Sequence, residues 1–167
     1  LHDKLDTYVR RPPQRDRLLA LALTAAGTDE VRLLRHLEAP ILGRLELFDG
    51  GLLADFVRER GPLLPADERD LVDTWHEVRI GAYEVLDVQP ETSLTVRDLV
   101  TGDRIEVPER RGTRKLSVGD AVLAHLHPVG ESLRFGVAMP VGEDRRDGLV
   151  AQLVEDASPA GVAGWIG

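Results

Sequence analysis

The sequence predicts an α+β fold: a helical N-terminal part, a small five-stranded antiparallel β-barrel (SH3-like or OB-like), and short C-terminal helices. Two observations carry this. Apolar residues recur about every 3.6 positions up to residue 80, then about every second position from Ala82 to Met139. Gly-containing turns divide the second stretch into short runs of similar length, as in small closed sheets. Residues 1–80, 81–142 and 143–167 are therefore expected as a helical region, a small barrel and a helical tail packing on the rest.

The first predicted helix holds Leu5 and Val9 and stops at Pro12-Pro13, since proline has no amide hydrogen to continue the ladder. Leu18, Leu21, Ala22 and Ala25 form the stripe of the next, which ends at Gly27. Thr28 is the expected N-cap of a third, with Asp29 and Glu30 in the turn where the helix dipole favours anions. Its apolar stripe is Leu33, Leu34 and Leu37, and Pro40 closes or kinks it. Asp49 is the expected cap of a helix carrying Leu52, Leu53, Phe56 and Val57, which Gly61-Pro62 ends. Pro65 opens another, with Leu71, Val72, Trp75 and Val78 on one face.

The first strand follows Gly81. Tyr83 and Val85 share one face while Leu86 and Val88 share the other, a parity shift that predicts a bulge or strong bend. Leu94 and Val96 alternate with polar neighbours, as do Ile105 and Val107, with Thr101-Gly102-Asp103 turning between them. Val129-Gly130-Glu131 turns between the last two strands, the second of which alternates through Leu133, Phe135, Val137 and Met139. In the tail, Leu149, Val150 and Leu153 predict one helix, and Ser158-Pro159 offers the cap and first position of another ending at Trp165 and Ile166. Trp75 and Trp165 are both expected to pack on the chain's own surface.

Composition narrows the function classes. With 43% hydrophobic and 30% charged residues, the 167-residue chain is foldable rather than disordered. No apolar run approaches the roughly 20 residues of a membrane-spanning helix, and no secretory leader is visible, so a cytoplasmic location is expected. Leu1 is not a start methionine, which leaves room for further sequence before it. The net charge of −8 argues against a broad nucleic-acid surface. Cysteine is absent, so no disulfide or thiolate metal site exists within these residues, and no cofactor is expected in the chain.

Two clusters are candidates for chemistry. Arg110, Arg111, Arg114 and Lys115 form the one dense basic stretch, and guanidiniums on a barrel rim can hold phosphates, with Arg97 or Arg134 joining from the sheet. Aromatics for base stacking are scarce at 4%, so a solvated loop paired with Glu106 and Glu109 is the simpler reading. His125 and His127, two apart on a strand, would project from one face and could share a metal if a carboxylate joined them. The simpler reading puts Val122, Ala124 and Leu126 in the core and both histidines in water. His76-Glu77 lacks the second histidine of a zincin helix because position 80 is Ile80. No serine stands in a Gly-x-Ser-x-Gly frame, no phosphate-binding glycine loop occurs, and no pair of acids faces an acid–base partner.

Several segments resemble a known family. Phe48-Asp49-Gly50-Gly51-Leu52-Leu53, Arg60 to Arg69, Leu94 to Leu99 with Thr101-Gly102-Asp103, and Gly119 to Ala124 are similar to the region downstream of the zinc motif in actinobacterial SEC-C-motif-containing proteins. The similarity covers most of the chain and is densest from Phe48 to Val141. It implies a bacterial cytoplasmic protein and assigns no reaction. The family's Cys-rich zinc motif is either cut off before Leu1 or missing from this member, since the chain has no cysteine; zinc enters only if the motif precedes Leu1, and no metal ligand carries over onto this sequence. The residues thus favour a non-enzymatic interaction or adaptor module with a protein partner. A nucleic-acid-associated accessory factor using Arg110, Arg111, Arg114 and Lys115, and a metal-dependent hydrolase around His125 and His127, are the alternatives.

Overall fold

Eight α-helices and one five-stranded antiparallel sheet make up the computed structural model, which describes residues 1–167. The helices are α1 (His2–Val9), α2 (Gln14–Ala26), α3 (Glu30–Glu38), α4 (Pro40–Phe48), α5 (Leu52–Arg60), α6 (Ala66–Asp73), α7 (Arg146–Glu155) and α8 (Pro159–Ile166). The strands are β1 (Ile80–Gln89), β2 (Ser93–Asp98), β3 (Arg104–Pro108), β4 (Ala121–Val129) and β5 (Ser132–Val141). The chain divides into a helical unit, Leu1–Val78 with Asp156–Gly167, and a sheet unit, Arg79–Glu155.

In the helical unit, Leu5, Leu42, Leu45, Leu52 and Phe56 are buried, and α8 lies against α2 and α4. Trp75 follows the end of α6 and is buried, its ring 5.4 Å from that of His2 and 6.1 Å from that of Phe48. Three sequence expectations need correction here. Asp29, not Thr28, caps α3, its carboxylate accepting from the Val31 and Arg32 amides at 2.9 and 3.0 Å. Pro40 does not merely stop a helix but starts one, α4, at a position where no amide hydrogen is needed. Asp49 ends α4, and Gly51 at φ 85° precedes α5, a conformation that favours glycine over a capping side chain. Ser158 does cap α8, accepting from the Gly161 amide at 3.2 Å.

The sheet has the order β3-β2-β1-β4-β5. β3 and β5 are its outer strands, and no ladder joins them, so the predicted ring of strands is not closed. The topology gives the reason. Four successive antiparallel pairings leave β3 and β5 running in the same direction, and closure would need the sheet's one parallel ladder. A single link spans the gap, Arg134 Nη1 donating to the Pro108 carbonyl at 3.4 Å.

The expected irregularity in β1 is a bulge between Val85 and Asp87. Val85 pairs with Val96 and Val88 with Leu94, so the extra residue, Leu86, returns Val88 to the face of Tyr83 and Val85. That face, with Leu94, Val96, Val107, Val122, Ala124 and Leu126, is the core of the unit. A second irregularity was not foreseen. Ala124 pairs with Ala138 but Leu126 with Phe135, which puts an extra residue in β5. Phe135 therefore faces the core, edge-on to Tyr83 at 5.8 Å, while Met139 pairs with Leu123 on the opposite face. Simple alternation through Leu133, Phe135, Val137 and Met139 had placed all four together. On the opposite face, α7 lies against β1, with Leu149 and Leu153 buried.

Candidate functional site

The basic stretch lies between β3 and β4, around a single 3₁₀ turn, Gly112–Arg114. The backbone there is tied down from two sides. Glu109 Oε1 accepts from the Arg111 and Gly112 amides at 2.7 and 2.9 Å, and buried Thr113 Oγ1 accepts from the Glu91 amide at 3.1 Å. Glu91 sits in the turn between β1 and β2 at φ 61° and grips Arg114 with both carboxylate oxygens, Nη2 to Oε2 at 2.8 Å. That pair holds the Arg114 guanidinium above its ordinary pKa. The pairing differs from the expected one, since Glu106 instead accepts from Ser93 Oγ at 3.1 Å and Glu109 serves backbone amides.

Of the four basic side chains, Arg114 is thus neutralised, while Arg110, Arg111 and Lys115 are exposed and make no ion pair. Neither Arg97 nor Arg134, the two expected to join them, pairs with the cluster: Arg97 pairs with Glu84, and Arg134 donates to the Pro108 carbonyl. The cluster is a rim of three cations next to a closed ion pair. It has the charge to meet a phosphate and no aromatic side chain among its residues.

His125 and His127 share a face of β4, as their spacing requires, but they are not in water. Both are buried, at 0% and 3% exposure, because β4 is covered on both faces from Ala121 to His127. His125 stands opposite Ile80 and His127 opposite Arg134. Val122, Ala124 and Leu126 do face the core, as expected. No group of three or more histidine or acidic side chains is arranged to hold a metal ion.

The sequence reading missed a different feature, on α3. This nine-residue helix has a strong cap, an acidic first turn and Arg35 and His36 in its last turn, so its ends are well satisfied. Yet none of its residues is buried. Leu33 and Leu37 are half-buried, and α3 packs on α2. Val31 and Leu34 are 64% and 66% exposed. Leu34 was expected on the inner stripe; the helix is rotated so that its apolar arc is only partly covered. Arg32 and Arg35, both exposed, flank the open part. The signal in the sequence was the width of that arc, which exceeds what one neighbouring helix can cover.

No protein-family model, no curated protein and no solved structure gives a significant match to this chain.

Proposed function

We propose that this chain is a protein-interaction module rather than an enzyme, and that it engages its partner through α3. The observation that carries the reading is the pair Val31 and Leu34, at 64% and 66% exposure on a helix with no buried residue. Large apolar side chains held open on a well-capped helix favour docking into an apolar groove. The exposed Arg32 and Arg35 beside them favour a groove with an acidic rim. The resemblance to the region after the zinc motif of actinobacterial SEC-C proteins supports a scaffold of a bacterial cytosolic adaptor. In that reading zinc enters only if a Cys-rich motif precedes Leu1, since this chain has no cysteine. The strand order, and the approach of β5 to β3, favour an OB-like, partly open barrel over an SH3-like one.

The test is affinity capture from an actinobacterial lysate with two baits, the wild-type chain and the double variant Val31→Asp/Leu34→Asp. Both positions already face water, so the variant keeps its circular dichroism and melting point. A partner retained by the first bait and lost by the second is the expected result. Identical protein sets on both baits refute the α3 interface.

A second reading rests on Arg110, Arg111 and Lys115, three cations without acidic partners at one loop. A nucleic-acid-associated factor would show salt-sensitive association that weakens in Arg110→Ala/Arg111→Ala. A flat anisotropy titration at low salt excludes it.

A further inference from the structure

Within the helical unit, α1, α5 and the turn after α5 enclose a cleft of about 450 Å³. That volume falls in the range of about 300–1,000 Å³ typical of small-molecule sites. Its lining is mainly apolar. Tyr8 and Phe56 meet edge to face with ring centres 5.3 Å apart, and both are buried. Leu63, at the end of the 3₁₀ turn Gly61–Leu63, stands 73% exposed. The neighbouring Leu64 is buried, its carbonyl accepting from Arg69 Nη2 at 3.1 Å.

The charges around this apolar floor are unequal. Lys4 is spent on Glu68, with Nζ to Oε2 at 2.5 Å. Arg11 and Arg60 also line the cleft, are exposed, and pair with no carboxylate. Asp3 is the one acid in the lining and offsets one of the two arginines. With Lys4 paired to Glu68, the lining itself keeps a surplus of one positive charge, while the Glu59 carboxylate acts on Tyr8 from outside the lining. An apolar floor with a single uncompensated positive charge at its edge fits a monoanion with an apolar tail. A dianionic phosphate would meet half the charge it needs, and a cation would be repelled.

We propose that this cleft binds a small amphipathic carboxylate, its tail on Tyr8, Phe56 and Leu63 and its carboxylate held by the forks of Arg11 and Arg60. The assignment is independent of α3, which contributes no residue to the cleft.

Calorimetric titration of the full chain with sodium decanoate tests it, with octanoate, hexanoate and decyltrimethylammonium as comparisons. Decanoate should bind saturably at one site per chain. Affinity should fall about fourfold for each methylene removed, the consequence of about 0.8 kcal/mol per buried methylene. Arg11→Ala/Arg60→Ala should weaken decanoate at least tenfold while leaving the melting curve unchanged, since both side chains are in water. Leu63→Ser, also at an exposed position, should weaken decanoate and flatten the loss on shortening the tail. Absence of saturable heat with decanoate, equal affinity in the double arginine variant, or equal affinity for the cationic amphiphile would each overturn the assignment.

Discussion

Arg146 Nη1 donates to Glu84 Oε1 at 2.9 Å, while the other oxygen of the same carboxylate accepts from Arg97. Glu84 thereby joins α7 to β1 and β2 on the face opposite the core, and Arg146 extends the link to the Gly119 carbonyl. Both groups are largely shielded, with side-chain exposures of 13% and 23%, so solvent screening does not erase their interaction. Glu84→Ala and Arg146→Ala should each cost about 1–2 kcal/mol in urea melts. A double-mutant cycle should return a coupling of about 1 kcal/mol. Strict additivity would show that the contact does not fasten α7.

The bulge in β5 makes a prediction about the core. Phe135 faces Tyr83 and packs against the buried cluster, but it is itself only half-buried. Phe135→Ala should cost about 3 kcal/mol, the low end of the range for buried phenylalanine. Denaturant midpoints and slopes measure it, and a cost near zero would mean that β5 pairs in a different register.

Gly81 leaves room for the Tyr83 ring. A Cβ built on Gly81 would lie 2.7 Å from Tyr83 Cζ, and the ring is buried and cannot swing away. Gly81→Ala should therefore cost about 1–3 kcal/mol through overpacking. With Tyr83→Leu in the same chain the combined loss should be smaller than the sum of the two. A sum that is simply additive would remove the steric explanation.

Much of this architecture was legible in the sequence, and the failures share a cause. The period change near Gly81, the bulge at Leu86 and the Ser158 cap were readable because each is a local rule about neighbouring side chains. Pro40 misled because a proline that ends one helix can equally begin the next, and only the following leucines decide. His125 and His127 misled because alternation identifies two faces of a strand but not whether the second face is also covered. Leu34 failed for the complementary reason, since an apolar stripe does not state how wide its partner is. The cleft was illegible altogether: its residues come from α1, α5 and a turn some 50 positions apart, and no spacing rule connects them.

The imidazole of His2 gives stability a pH dependence near neutrality. Its pKa is lowered from the ordinary 6.5, first by burial, then by Arg44, against the opposing pull of Asp6 and Asp3. His36 moves the same way, through burial with Arg32 and Arg35. On acidification the unfolded chain takes up protons near 6.5 while the folded chain still refuses them. Stability should then fall from about pH 7.5 downward and level off once the folded-state values are passed. Glu46, raised by burial against the pull of Arg17, acts in the opposite sense, so the informative comparison is with a variant. His2→Gln/His36→Gln should flatten the profile of thermal midpoints between about pH 7.5 and 5.5. An unchanged slope would assign the effect elsewhere.

The return of α8 to α2 has a consequence for how the protein is made. Translation delivers residues 79–155 in one uninterrupted stretch, so the sheet with its α7 can assemble as soon as that stretch emerges. The helices that emerge before it must wait, because positions 156–167, synthesised after the sheet, cover part of their surface. A frameshift beyond codon 155 would therefore leave the later-made half intact and wound the earlier one.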